Sequence, residues 1–239
     1  MAYTYLDITN EVLARLNEVS LTSSNFGSAR GFQIQCKNAV NDAINYINHR
    51  EFNWPFNHAT QTEVLVAGQT RYTIPTTAKT VDYDTFRLVK DASLGSTGGA
   101  LSRLDYKEYL DKYVDQEDDT TTQGGRPLWV VRTPDNNYLL CPYPDKAYTL
   151  KYEYYDQPVS LTAAADVPSI TSAYRQVISD GATAYAYQYR GELDQYSANW
   201  ARFQDGISNI RSILTNRYPY VRSTVVERSG TPSVFPSIS

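Results

Sequence analysis

The chain has 239 residues, 41% of them hydrophobic and 20% charged, and its 21 tyrosines outnumber 7 phenylalanines and 3 tryptophans. That length and aromatic content exclude a disordered chain and allow one generous domain or two small ones. Lys plus Arg total 22 and Asp plus Glu 26, a net charge of -4, which argues against gripping nucleic acid through its phosphates, since that needs clustered cations.

A first helix is predicted from Asp7, where Ile8, Val12, Leu16 and Val19 recur at helical spacing and Asp7 or Thr9 can cap the start. A Ser/Asn/Gly stretch over residues 21–31 breaks the pattern. The second helix carries the stripe Cys36, Val40, Ala43 and Ile47, flanked by Phe32 and Ile44, and ends near Phe52 ahead of Trp54-Pro55. The period then changes. Residues 62–66 and 71–74 are β-branched runs around Ala67-Gly68-Gln69 and predict a hairpin. Residues 86–89, 101–104, 128–133, 138–140 and 148–155 continue the strand character, with Pro134, Asp135, Asn136 and Asn137 as turn chemistry. In the last run Tyr148, Leu150, Tyr152 and Tyr154 fall on one face and Thr149, Lys151 and Glu153 on the other.

A short helix over 106–114 interrupts the strands, and the loop after it holds four acids, Asp115, Glu117, Asp118 and Asp119. Past Pro168 the helical period returns. Thr171 or Ser172 caps a helix through Tyr174, Ile178, Ala182, Tyr185 and Tyr189 that stops at Gly191. Leu193, Tyr196, Trp200, Phe203, Ile207, Ile210 and Leu214 then mark the cleanest helix of the chain, before an aperiodic tail with Pro219, Pro232 and Pro236. The expected fold class is α+β: a four-helix bundle from the N- and C-terminal helical pairs, with an inserted β-rich module and an extended C-terminal tail. The boundaries expected are 1–58 and 169–216 for the two halves of the bundle, 59–168 for the module and 217–239 for the tail.

The residues offer little for catalysis. His49 and His58 are nine apart, unlike HExxH, and neither GxSxG nor a phosphate-cradling loop occurs. The Gly95-to-Gly99 stretch reads as a loop, and the acids after the short helix lack the order of a calcium site. Cys36 and Cys141 read as buried free thiols. No catalytic residue, metal site or cofactor is expected, and the chain reads as non-enzymatic. The N-terminus shows no signal-peptide pattern and no window approaches a membrane span, so a soluble protein made in a cytoplasm is expected. Tyr174, Tyr185, Tyr189 and Tyr196 lie on helix stripes and predict packing, whereas Tyr148, Tyr152 and Tyr154 suit either a sheet core or a contact face.

The phrases FNWPF, TRYTIP, DYDTFRLV, LDYKEYLDKY, GRPLWVV and PYPDKAYTLKYEYYDQP follow one another in order. In this order the chain resembles the head-to-tail adaptor proteins of tailed phages, the tail tubular protein A type, over about residues 5–214. The resemblance implies a virion structural protein that assembles with itself into a ring, usually dodecameric, between the portal protein and the tail nozzle. DNA passes through without sequence-specific binding. It further implies that the tail lies on the portal through Tyr218, Tyr220, Val225, Val226, Val234, Phe235 and Ile238, and that Asp115, Glu117, Asp118 and Asp119 face the lumen or a rim. The strand and tail tyrosines then become candidates for contacts between subunits. The alternatives are another neck, head-completion or tail-completion protein and, from a different class, a tail-associated carbohydrate-binding module or glycan hydrolase.

Overall fold

The computed structural model describes residues 3–51, 53–90, 98–115 and 124–214. Helix α1 spans Tyr5–Arg15, and its cap is Thr4: the threonine hydroxyl accepts from the Asp7 N–H while the Asp7 carboxylate accepts from the Thr4 N–H. The cap expected at Asp7 or Thr9 is thus corrected by one turn. Asp7 is the third helical residue of the capping box, and Thr9 is buried with its hydroxyl on the Tyr5 carbonyl. Val19, expected on the stripe, lies beyond the helix and is 77% exposed. Helix α2 spans Phe32–Arg50 and buries Cys36, Ala39, Val40, Ala43, Ile44 and Ile47.

Among the described residues eight strands follow: β1 (His58–Val64), β2 (Arg71–Tyr72), β3 (Ala78–Leu88), β4 (Gly99–Ala100), β5 (Ser102–Leu104), β6 (Trp129–Arg132), β7 (Tyr138–Cys141) and β8 (Thr149–Asp156). The short helix α3 (Tyr106–Lys112), capped by Asp105, lies between β5 and β6. The strands form two sheets, in orders β1-β8-β3-β4 and β2-β7-β6-β5. The predicted hairpin is therefore not formed. β1 pairs with β8 and β2 with β7, because Leu65, buried between the sheets, anchors its N–H on the Tyr148 carbonyl and carries the chain from one sheet to the other. Gly68, at φ +81°, supplies the turn in that crossing.

In the second sheet β7 is buried on both faces. Val130, Tyr138 and Leu140 pack toward the first sheet, and Val131, Leu139 and Cys141 pack under Tyr109 of α3. Opposite faces of one strand thus serve two cores, which accounts for the unbroken apolar run of β7. In β8 the alternation is as the sequence predicts, with Leu150, Tyr152 and Tyr154 inward.

Helices α4 (Arg175–Arg190) and α5 (Leu193–Leu214) close the described chain, separated by Gly191 at φ +80°. One apolar cluster joins α1, α2, α4 and α5 around Val12, Val40, Ile47, Trp54, Ile178, Ala182, Phe203 and Ile210. α4 is its hub and packs on the other three helices. Small side chains on several sides of α4 (Ser179, Gly181, Ala182, Thr183, Ala184 and Ala186) are buried, so neighbours approach its backbone closely.

Candidate functional site

Where the helices meet the sheets, the last turn of α2 is held by side chains from several elements. Lys79 of β3 donates to the Asn48 carbonyl and, at 2.7 Å, to the Glu51 carbonyl, placing a cation on the carbonyl end of the helix. Burial lowers the Lys79 pKa, opposed by the nearby Glu51 carboxylate. The Asn57 amide donates to Asn48 Oδ1, and Ser169 Oγ donates to Asn57 Oδ1 at 3.0 Å. From the other side Arg211, in the last turn of α5, pairs with Glu51 at 2.7 Å. Beside this joint lies a cleft of about 540 Å³ lined by Phe56, His58, Asp156, Val159 and Val167 among others, with Val159 79% exposed.

The outer face of the first sheet is a polar ladder centred on Glu153. Its carboxylate accepts from the Thr60 hydroxyl at 2.5 Å and lies 2.9 Å from His58 Nε2 and 3.7 Å from the Arg87 guanidinium. The His58 ring meets Tyr155 edge-on at 5.7 Å. Such a hydrated, mixed-charge face suits orientation of a partner more than tight anchoring.

The opposite end of the helical body carries apolar side chains in solvent: Val19, Ile34, Tyr189 and Leu193. The Val19 and Tyr189 regions meet at the start of α2: Gln33 donates to the Val19 carbonyl at 3.2 Å, Phe32 lies 6.0 Å from the Tyr189 ring, and Arg190 stacks 4.2 Å over Phe32 while bonding Glu18. Tyr189, predicted to pack on a helix stripe, is 62% exposed here; the stripe runs off the core one turn before Gly191.

Glu63 is a feature the sequence reading missed. It sits on β1 opposite Leu150, whose side chain is in the sandwich core, and its Oε1 is buried with no hydrogen-bond partner among the described residues. Burial pushes its carboxyl up to about 7, and its charge would act on the hydroxyls of Tyr72 and Tyr152. A lone acid in an alternating strand gives no sign of its environment until the strand's partner is known. Lys79 was missed for the same reason.

Of the residues singled out from sequence, Asp115 is exposed just past α3, while Glu117, Asp118 and Asp119 lie outside the described residues. So do all the tail residues: Tyr218, Tyr220, Val225, Val226, Val234, Phe235 and Ile238. The strand tyrosines Tyr148, Tyr152 and Tyr154 are core residues and present no contact face. Cys36 and Cys141 are buried thiols, and burial pushes them up to about 12 and about 11, which keeps them protonated and unreactive. His49 is exposed in the last turn of α2. Among the described residues no group of three or more His, Cys, Asp or Glu could hold a metal ion, and no helix is long and apolar enough to cross a membrane.

The model of the SU10 adaptor protein family matches residues 3–227. No curated protein matches the chain.

Proposed function

The chain belongs to the SU10 adaptor protein family, a family of phage structural proteins, and from that premise we propose that it is a head-to-tail adaptor. In this reading it is made in the host cytoplasm and built into the virion neck as a closed homo-oligomeric ring, a dodecamer, between portal and tail nozzle, and DNA passes through the lumen. The observation that carries the reading is the family match, which takes in every element of both the helical body and the sheets.

The geometry supports it in two ways. A closed cyclic assembly buries two different faces of each subunit, and apolar side chains are exposed at both ends of α2: Val159 and Val167 by the cleft, and Val19, Ile34, Tyr189 and Leu193 at the far end. A protein with a net charge of -4 also suits a channel in which DNA slides, since strong phosphate contacts would retain it. The tail, residues 217–239, supplies the portal contact, and the acids Asp115, Glu117, Asp118 and Asp119 line the lumen or its rim.

Sedimentation of the purified protein with and without portal tests this. A ring, or a complex that forms only with portal, is expected, and removal of residues 218–239 should weaken portal attachment while leaving the fold intact. A persistent monomer that ignores portal and binds glycans would overturn the proposal.

A further inference from the structure

The cleft beside the joint has a definite chemistry. Its walls are apolar at Phe56, Val159, Leu161 and Val167, and both valines are exposed. The lining also holds two carboxylates, Asp156 and Asp166, and no lysine or arginine; His58 is engaged by Glu153 at 2.9 Å. The two acids differ in what they already bind. Asp166 accepts from the N–H groups of Thr162 and Ala163, each at 2.7 Å, and those bonds hold its carboxyl below the usual range. Asp156 forms no ion pair among the described residues, and its Oδ1, buried in the wall, accepts no hydrogen bond from them. Such a carboxylate beside apolar surface suits a cation carried on an apolar body, which is the chemistry of an arginine or lysine set among hydrophobic side chains.

This same chain presents that combination at the other end of α2. Val19, Ile34, Tyr189 and Leu193 are exposed there. Arg30, whose carbonyl accepts from the Gln33 N–H at the start of α2, is exposed too and forms no ion pair among the described residues. Its neighbour Arg190 is already engaged, bonding Glu18 and lying 4.0 Å from Glu192. α2 separates this end from the cleft by about 28 Å, the length of its 19 residues. Arg30 and Asp156 therefore cannot meet within one subunit.

We propose that they meet between subunits: the Arg30 end of one copy seats in the cleft of the next. The Arg30 guanidinium lies on the Asp156 carboxylate, and Val19, Ile34, Tyr189 and Leu193 are covered against Val159 and Val167. The occupant is a second copy because both halves of the complementarity, apolar with apolar and cation with anion, stand on this one chain. The contact joins unlike faces, so every docked subunit leaves a face open for another until the series closes on itself. It rests on the adaptor reading and names the two faces that such a ring buries.

Cross-linking of the full-length protein with a short bis-maleimide tests it, the native thiols being buried. A Val159→Cys/Leu193→Cys double variant, assembled alone or with portal, should give a ladder of linked subunits, and each single variant should stay unlinked. Dimers from either single variant at the rate of the ladder would show like faces meeting and overturn the proposal. A ring that forms but gives no ladder would overturn it too, while leaving the adaptor reading in place. A protein that sediments as a monomer with and without portal overturns both. The charge pair has its own readout. Arg30→Glu sets like charges face to face and should weaken assembly ~10-fold or more, and in an Asp156→Asn background the same change should cost much less. Wild-type assembly by Arg30→Glu, or an undiminished loss in the Asp156→Asn background, would overturn the pairing of Arg30 with Asp156.

Discussion

Glu63 sits where a carboxylate is poorly tolerated, and the consequence is a pH dependence with a definite sign. An unfolded chain ionises this side chain near the ordinary value of 4.5, whereas burial in the folded protein holds it protonated up to about 7. Between those values the unfolded state gives up its proton first, so stability falls as pH rises through the window and stays lower above it. The loss is about 2 kcal/mol, since the carboxyl keeps part of its contact with water. Denaturant midpoints of wild type and Glu63→Gln at pH 4.5 and pH 8 check this. The glutamine protein should lack this component of the decline, and a wild type that declines no more than the variant would refute it. The tyrosines make a related point. Tyr152 and Tyr189 are the same residue type on equally regular stripes, yet Tyr152 is 0% exposed and Tyr189 62%. The difference lies in whether another element covers that turn, which the local pattern does not contain.

At the level of elements, the α4–α5 contact depends on missing side chains. A Cβ at Gly181 would fall 2.5 Å from the buried Phe203 ring, and one at Gly206 would fall 2.8 Å from Val177. Alanine is favoured over glycine inside a helix by about 1 kcal/mol, so without a packing penalty both replacements would stabilise the protein. The clash reverses the sign at Gly181, where the Phe203 ring it meets is fully buried, and Gly181→Ala should lose about 2 kcal/mol net. Gly206→Ala, facing a half-buried valine, should be close to neutral. Thermal melts of the two variants decide the matter: a Gly181→Ala protein as stable as wild type would mean that the helices can separate freely. Helix boundaries such as Gly191 were legible because the signal is local: glycine takes the left-handed cap that other residues resist. The failed hairpin shows the opposite case. Turn chemistry at Gly68 was read correctly, but a turn also serves a crossing between sheets, and the buried Leu65 that decides between the two is a matter of long-range packing.

For the whole molecule, the order of helices and strands was legible from periodicity, and a phage adaptor, though not its SU10 family, from the order of the phrases, while the joint between helices and sheets was not. That joint is built from Lys79, Asn48, Asn57, Ser169 and Arg211, single residues far apart in sequence whose meaning depends on the fold. Asn57 and Ser169 touch although 112 positions separate them. The chain therefore leaves the helices and re-enters them at one socket, and the entropy of closing that excursion hardly depends on what it contains. The socket is then expected to work as a cassette port, with the region between free to lengthen, shorten or be exchanged while the helices keep their contacts. Replacement of residues 59–156 by a short Gly/Ser linker should leave a helical body that melts cooperatively. Loss of that cooperative transition would mean that cassette and carrier can only change together.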